Sequence, residues 1–385
     1  MNTRTTVRYA AALVVAAVAA APFPATAQQS ADDFGRSALA TSSQSSWPTV
    51  GSVDAALSSA DLLGSASLPT PPRTGSSLPA PVGESPVTES RIVSITDDRL
   101  PRLERWTIAS PAMGRHVDVQ ILRPAETTEP APMLYLLDGV DAPRDSGWLH
   151  EGHVDELFAE ENVTLVMPTG AYASMYADWY ADDPVLGRNQ WETFLTEELP
   201  PLLEDPASGL NFNGRRAIGG LSMGASGAVA IANANPGVFA GVIGISGCYS
   251  TTSTAGRIMV GSIVENAGAS VYNLYGPPGA PGWDRHNVVK DPRGLASTAV
   301  YLSAAEGVVT PEEEEYFGDR TSSALANGIV LEWGSLSCTV DLDQAMRARG
   351  MTHQQVDLLP AGVHNWPNFS GALLPGWDHI RPALY

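Results

Sequence analysis

The segment Gly219-Gly-Leu-Ser-Met-Gly-Ala-Ser-Gly227 decides how this chain is read. Within it, Gly220-Leu-Ser-Met-Gly224 fits G-x-S-x-G, the pattern of a strand that ends, turns sharply with a serine at the apex, and continues as a helix. The flanks supply that context. Arg215 to Leu221 reads as a strand entering the turn, and Ser226 to Ala232 as a helix leaving it. Serine is also a favoured helix N-cap, so the motif alone is not enough. A hydroxyl is a weak nucleophile until a base lies within hydrogen-bond reach and a third group orients that base.

Outward from the serine, short apolar runs alternate with helical patterns, the mark of a largely parallel sheet covered by helices. Strands are expected at 116–122, 132–137, 162–167, 216–221, 239–245, 299–304 and 355–359. Helices are expected at 191–203, 225–233, 312–327, 341–349 and 372–385. This order is that of an α/β hydrolase, a single catalytic domain over 91–385, in which the acid follows the serine and the histidine comes last.

Seven histidines compete for the role of base. His364 lies in a loop directly after the last expected strand, where the fold delivers its base. His116, His150 and His153 precede the serine and His286 sits in a proline-rich loop, so surface or binding roles suit them; His353 and His379 read as structural. His150 and His153, spaced H-E-G-H, do not make a zinc-binding H-E-x-x-H, and the sequence calls for neither metal nor cofactor. Glu306, just past the strand at 299–304, and Glu332, further on but still before His364, both qualify as the acid, and spacing does not separate them. The oxyanion needs two backbone N–H donors, each worth roughly 3 kcal/mol of transition-state stabilisation. Met223, next to the nucleophile, supplies one; Val140, in the loop Leu136-Leu-Asp-Gly-Val140, supplies the other, with Gly139 permitting close approach.

The chain of 385 residues opens with Arg4 and Arg8, an apolar run to Ala21, and Ala25-Thr-Ala27. This is the plan of a secretory signal, 1–27, cut before Gln28. Residues 28–90 are rich in Ser, Ala and Pro and read as a tether that buries too little apolar surface to order itself, apart from one short helix at 52–63. No later stretch reaches the roughly 20 apolar residues of a membrane span, so the expected location is outside the cytoplasmic membrane without a transmembrane anchor. A formal charge of −20, nearer −22 once Arg4 and Arg8 leave with the signal, excludes nucleic acid as a partner. Cys248 and Cys338 are the only cysteines. In an exported chain they are expected to pair, closing a loop worth on the order of 4 kcal/mol in the chain-entropy model. The run Pro311-Glu-Glu-Glu-Glu315 reads as acids at a helix start, favourable to the dipole.

Several ordered segments together resemble one family, the antigen 85 and corynebacterial mycoloyltransferases, secreted α/β hydrolases that handle mycolic acids on trehalose and the cell wall. They are Leu136 to Val140 with Ser146-Gly-Trp148, Val166-Met-Pro-Thr-Gly170 with Ser174-Met-Tyr-Ala-Asp-Trp-Tyr180, Gly220 to Gly224, and Gly362-Val-His-Asn-Trp366. The resemblance implies a triad of Ser222, Glu332 and His364, because the family's acid stands in a Leu-Glu pair like Leu331-Glu332 at the start of a helical region. It further implies that Asp138 contacts trehalose and Trp366 borders the sugar pocket. Trp179 is a further substrate-lining residue, with Trp283 and Trp377 available for stacking or acyl-covering surfaces. The implied partners are trehalose mycolates and cell-wall arabinogalactan. Two positions depart from the pattern: Asp141 stands where mycobacterial members carry arginine, and Asn365 where serine is usual; these and Ser246 to Thr251 fit the corynebacterial branch. A carboxylesterase would use the same triad, and a wall-binding adhesin with a vestigial site would lack Ser222 or His364.

Overall fold

Strand residues that are buried on both faces of a sheet read as unbroken apolar runs, and the strand Ala131–Leu137 is buried at every position. It is β4 of a nine-stranded sheet in a computed structural model that describes residues 87–385 apart from 127 and 319–321. The leader, the tether and the helix expected at 52–63 lie outside the described residues. The strands are β1 (Arg91–Asp97), β2 (Leu103–Ser110), β3 (Arg115–Leu122), β4, β5 (Thr164–Pro168), β6 (Phe212–Leu221), β7 (Gly241–Ile245), β8 (Ala299–Ala305) and β9 (Gln355–Leu359). Their spatial order is β1-β2-β3-β5-β4-β6-β7-β8-β9. Pairing is antiparallel from β1 through β3 to β5 and parallel from β5 to β9. This is the expected α/β-hydrolase sheet.

Side chains alternate across the sheet, as strand geometry requires. Met133, Tyr135 and Leu137 enter one core with Val229 and Ala228, while Leu134 and Leu136 enter a second core with Phe369, Leu373 and Trp377. Burying each large apolar side chain contributes about 2 kcal/mol, and a one-residue slip of β4 would send every side chain into the opposite core and break the packing of both layers at once. The α-helices of seven residues or more are α1 (Met223–Ala234), α2 (Thr254–Asn266), α3 (Pro311–Phe317), α4 (Ser322–Ala348) and α5 (Trp366–Ile380).

The structure corrects several expected elements. β1 and β2 were not anticipated; β1 is an edge strand whose residues are almost all exposed, so it carries no inward apolar pattern. The helix at 191–203 runs from Trp191 to Glu204 with a π turn over Phe194–Glu198. The helices expected at 312–327 and 341–349 are instead α3 and the 27-residue α4. Gly328 and Gly334 cost α4 about 1 kcal/mol each relative to alanine, and packing of Cys338, Leu342 and Met346 in the cores overrides that local preference. The C-terminal helix starts six residues before 372, at Trp366, where Asn365 accepts from the Asn368 N–H as N-cap. The unforeseen α2 opens on Ser253, whose side chain accepts from the Gly256 N–H. Among the described residues no helix is long and apolar enough to cross a membrane.

Candidate active site

Ser222 joins β6 to α1 at φ 53° and ψ −120°, a conformation that costs a non-glycine residue of order 1–3 kcal/mol. The turn is held by the Ser222 N–H, which donates to the Ile245 carbonyl at 2.9 Å. Two glycines make the close crossing feasible: a Cβ on Gly224 would lie 2.3 Å from the Leu137 carbonyl oxygen, and one on Gly220 would lie 2.5 Å from the Gly224 carbonyl carbon. Ser222 occupies the N-cap position of α1, yet its side chain makes no capping bond. Its hydroxyl faces His364 instead, with Oγ 2.8 Å from Nε2.

The other imidazole nitrogen, Nδ1, is 2.9 Å from Glu332 Oε2. That carboxylate can only accept from it, so Nδ1 carries the proton and Nε2 is left to accept from Ser222. Glu332 is fully buried, in the interior of α4 rather than at a helix start. Its second oxygen, Oε1, accepts from the Ser246 hydroxyl at 2.7 Å, the Ala305 N–H at 2.7 Å and the Asn368 amide at 3.2 Å. A buried carboxylate requires such partners, and saturating Oε1 reserves Oε2 for the histidine. Glu306, the rival acid, is exposed; its backbone N–H bonds to Leu359 and its carbonyl to the Trp333 indole.

The His364 loop is fixed by backbone contacts. The Gly362 N–H donates to the Val308 carbonyl and the His364 N–H to the Gly328 carbonyl. The Val363 N–H donates to the carboxylate of Glu313, which also accepts from the Thr310 N–H at 2.8 Å. One member of the acidic run is therefore buried and structural. The imidazole rests edge-on against Phe369, 4.9 Å between centroids.

The loop after β4 abuts the elbow. A Cβ on Gly139 would meet Leu221 Cδ1 at 2.9 Å and lie 3.7 Å from Ser222 Cβ. Val140 follows it, half-buried, and Met223 is the first residue of α1. Asp138 is buried, and among the described residues its oxygens close no hydrogen bond of good geometry. Burial pushes its carboxyl up to about 7, against a partial downward pull from the nearby Ser146 hydroxyl and the Gly147 and Trp148 N–H groups. Trp366 is half-buried across Gly147 from this carboxyl: a Cβ on Gly147 would strike Trp366 at 2.4 Å and lie 3.1 Å from Asp138 Oδ1. Asp138, Gly147 and Trp366 thus come together as one wall beside the loop.

Other expected residues sit elsewhere. Trp179, read as lining the substrate, is a core residue, 4% exposed, whose indole N–H donates to the Ser174 carbonyl at 2.9 Å. Trp377 is buried with its indole bonded to Glu161. His286, given a surface or binding role from its loop, is buried, stacked on Tyr275 and close to Glu192, whose carboxyl its neighbours hold down at about 2. Despite its burial, which acts upward, the nearby His286 ring and the hydrogen bonds from Arg285 and Asn235 prevail. Cys248 and Cys338 are joined, tying the loop after β7 to α4 across 90 residues. The roles of Ser246, Glu313 and Tyr176 escaped the sequence reading; only the Thr310-x-x-Glu313 capping box left a local signal.

Comparison with known proteins fits this geometry. The sequence profile of the Esterase family matches residues 110–379. The diacylglycerol acyltransferase/mycolyltransferase Ag85A of Mycobacterium tuberculosis is 29% identical over 291 residues, covering 73% of this chain and 81% of that protein. The Ag85C counterpart of Mycobacterium leprae is 26% identical over 299 residues, covering 76% and 85%. Among solved structures, MPT51 (FbpC1) of Mycobacterium tuberculosis superposes with a TM-score of 0.58 at 24% identity, over 72% of this chain and 96% of that one. An S-formylglutathione hydrolase of Agrobacterium tumefaciens gives 0.55 at 15% identity, over 76% and 99%. These two structural likenesses bear on the fold alone.

Proposed function

The chain belongs to the Esterase family, and from that premise we propose that it is an exported mycoloyltransferase working through an acyl-Ser222 intermediate. Its relatives named mycolyltransferase support an acyl-transferring enzyme of serine-hydrolase type. The observation that carries the acyl-Ser222 mechanism is the relay from Glu332 through His364 to Ser222, closed at 2.9 and 2.8 Å beside the loop of Gly139 and Val140, and the mycolyltransferase relatives are what favour transfer over hydrolysis.

In the proposed reaction, His364 Nε2 takes the proton as Ser222 Oγ attacks the ester carbonyl of trehalose monomycolate. The Val140 and Met223 N–H groups receive the oxyanion, and Glu332 holds the imidazolium that forms. Collapse breaks the bond to the sugar oxygen, which leaves with the proton from His364. A second sugar hydroxyl, on trehalose monomycolate or arabinogalactan, then gives His364 its proton as it attacks the acyl carbonyl, the acyl–Oγ bond breaks, and His364 returns the proton to Ser222 Oγ. Transfer requires that water be kept from the acyl-enzyme while the acceptor binds. Asp138 and Trp366 form the sugar-side wall. The signal segment 1–27 directs export, and 28–90 tethers the domain at 91–385.

The test is to incubate the chain lacking residues 1–27, and its Ser222→Ala variant, with trehalose monomycolate, following Ser222 acylation by mass spectrometry together with dimycolate and free acid. Acyl-Ser222 and dimycolate from the unmodified enzyme alone support the transferase. Acyl-enzyme that yields only free acid makes the protein an esterase, and no acylation of Ser222 refutes the proposal.

A further inference from the structure

In the segment 171–177, Ala171, Ala173, Ser174, Met175, Tyr176 and Ala177 are all buried. Three of them, Ala173, Met175 and Tyr176, have left-handed backbones, with φ of 50°, 55° and 50°. Each costs an L-residue roughly 1–2 kcal/mol, and such conformations persist only where the surroundings over-determine them.

What the strained turn achieves is a set of contacts to the residues around the nucleophile. The Ala173 N–H donates to the Val140 carbonyl at 3.0 Å. The Asp138 N–H donates to the Tyr176 hydroxyl oxygen at 3.0 Å. The Met175 N–H points at Met223 Sδ, 3.4 Å away. A Cβ on Gly227 would lie 2.8 Å from Tyr176 Cβ, so α1 rests directly on the turn. The turn is locked in its own right: the Tyr176 N–H donates to Ser174 Oγ at 3.1 Å, the Trp179 indole to the Ser174 carbonyl, and Trp191 packs edge-on against the Tyr176 ring at 5.7 Å.

We propose that segment 171–177 is the brace that sets the oxyanion-hole geometry, with the Tyr176 hydroxyl as its positioning group; this rests on the reading of the Val140 and Met223 N–H groups as the donors. Tyr176 touches neither Ser222 nor His364 in the hydrogen-bond network and acts through the loop. Its hydroxyl is fully buried, so no solvent replaces it. Removing it leaves the Asp138 N–H without an acceptor in a dry site, and the peptides from Asp138 to Val140 reorient to compensate. An oxyanion donor is effective only within a few tenths of an ångström of its aim, and misplacement by about 1 Å costs on the order of a hundredfold.

The experiment compares Tyr176→Phe with the unmodified enzyme on p-nitrophenyl butyrate, and measures inhibition by an alkyl trifluoromethyl ketone, which adds Ser222 and places a tetrahedral oxyanion in the hole. A fluorophosphonate counts competent Ser222 sites. The expected result is a fall in kcat of about tenfold, less than the roughly 10²–10³ that outright loss of an oxyanion donor costs because the donor is displaced rather than removed, with KM little changed, an equal rise in Ki, and an unchanged site count. If kcat and Ki stay at their original values, or kcat falls while Ki does not, the brace is overturned. Should Tyr176→Phe lose its competent sites, Met223→Leu, which deletes only the sulfur acceptor of Met175, is to show a smaller parallel change in kcat and Ki; absence of that parallel overturns the proposal. An unmodified enzyme that is neither labelled at Ser222 nor inhibited by the ketone overturns the serine-enzyme reading and the brace together, whereas labelling with an insensitive Tyr176→Phe overturns the brace alone.

Discussion

Ser246 donates its hydroxyl to Glu332 Oε1 across 2.7 Å, from a backbone held at φ 53° and with its own carbonyl accepting from Ser335 on the same helix as Glu332. The serine and the acid it supports come from different elements, the loop after β7 and the middle of α4. Ser246 therefore holds the carboxylate in the rotation that presents Oε2 to His364.

The consequence is a graded pair of losses. Glu332→Gln removes the charge that stabilises the imidazolium and favours the wrong tautomer, for which a fall in kcat of about 10⁴ is the measured scale in a serine protease triad. Ser246→Ala leaves the charge in place and removes one of the three bonds that hold Oε1, the Ala305 N–H and the Asn368 amide remaining, so kcat is expected to fall by about tenfold, the low end of what a hydrogen bond to a charged group contributes, with KM unchanged. Steady-state kinetics on a p-nitrophenyl ester decide this; equal losses from the two variants would refute the positioning role.

Glu313 supports the histidine in the way Ser246 supports the acid. Its buried carboxylate accepts from the Val363 and Thr310 N–H groups. Glu313→Ala strands the buried Val363 N–H, at a cost of about 1–3 kcal/mol, and removes the acceptor of the part-buried Thr310 N–H. Denaturant unfolding is expected to show destabilisation of that order, and kcat should fall because Val363 precedes the base. Glu313→Gln keeps an acceptor and should lose less in both measurements. Its exposed neighbour Glu314 is the control: Glu314→Ala is expected to change neither.

The fold and the three side chains of the hydrogen-bonded relay were legible for a physical reason. The strand ends, the glycines of the elbow and the loop after β9 are local features with local signals, and the fold's chain order then points to Ser222 and His364. Glu332 was different, since strand order alone left it level with Glu306 and the Leu331-Glu332 resemblance had to choose. The supporting residues were not legible because their roles are set across the sheet. Ser246 meets Glu332 at a separation of 86 residues, and Tyr176 meets Asp138 at 38. Trp179 shows the converse error: aromatic character in a loop signals exposure to substrate only if the loop is not itself core.

The bond between Cys248 and Cys338 spans the same junction as Ser246 and Glu332. Closing 90 residues restricts the unfolded chain by about 4 kcal/mol in the chain-entropy model. The double variant Cys248→Ala/Cys338→Ala is expected to lose stability on that scale in denaturant titration. It should also lose activity before it unfolds, because the loop carrying Ser246 is then held to α4 by hydrogen bonds and apolar packing without a covalent tie. Activity that persists unchanged up to the unfolding transition would separate the disulfide from the placement of Glu332.

Asp138 gives the last prediction, a dependence on pH. Burial raises its carboxyl from 3.8 to about 7, so between those values the folded chain holds a proton that the unfolded chain has lost. Folding takes up a proton in this window, and stability falls as pH rises. The contribution of the neutral carboxyl is full below about 3.8 and is lost as pH passes through about 7. Asp138→Asn has nearly the same shape and no proton to lose. The difference in Tm between Asp138→Asn and the unmodified protein is therefore expected to grow in favour of the asparagine between pH 5 and pH 8, measured by calorimetry in matched buffers. The subtraction cancels the other titrating groups, which the two proteins share. A constant difference across that range would mean that Asp138 stays charged in the folded protein, held by the Ser146 hydroxyl and the Gly147 and Trp148 N–H groups more firmly than its burial opposes.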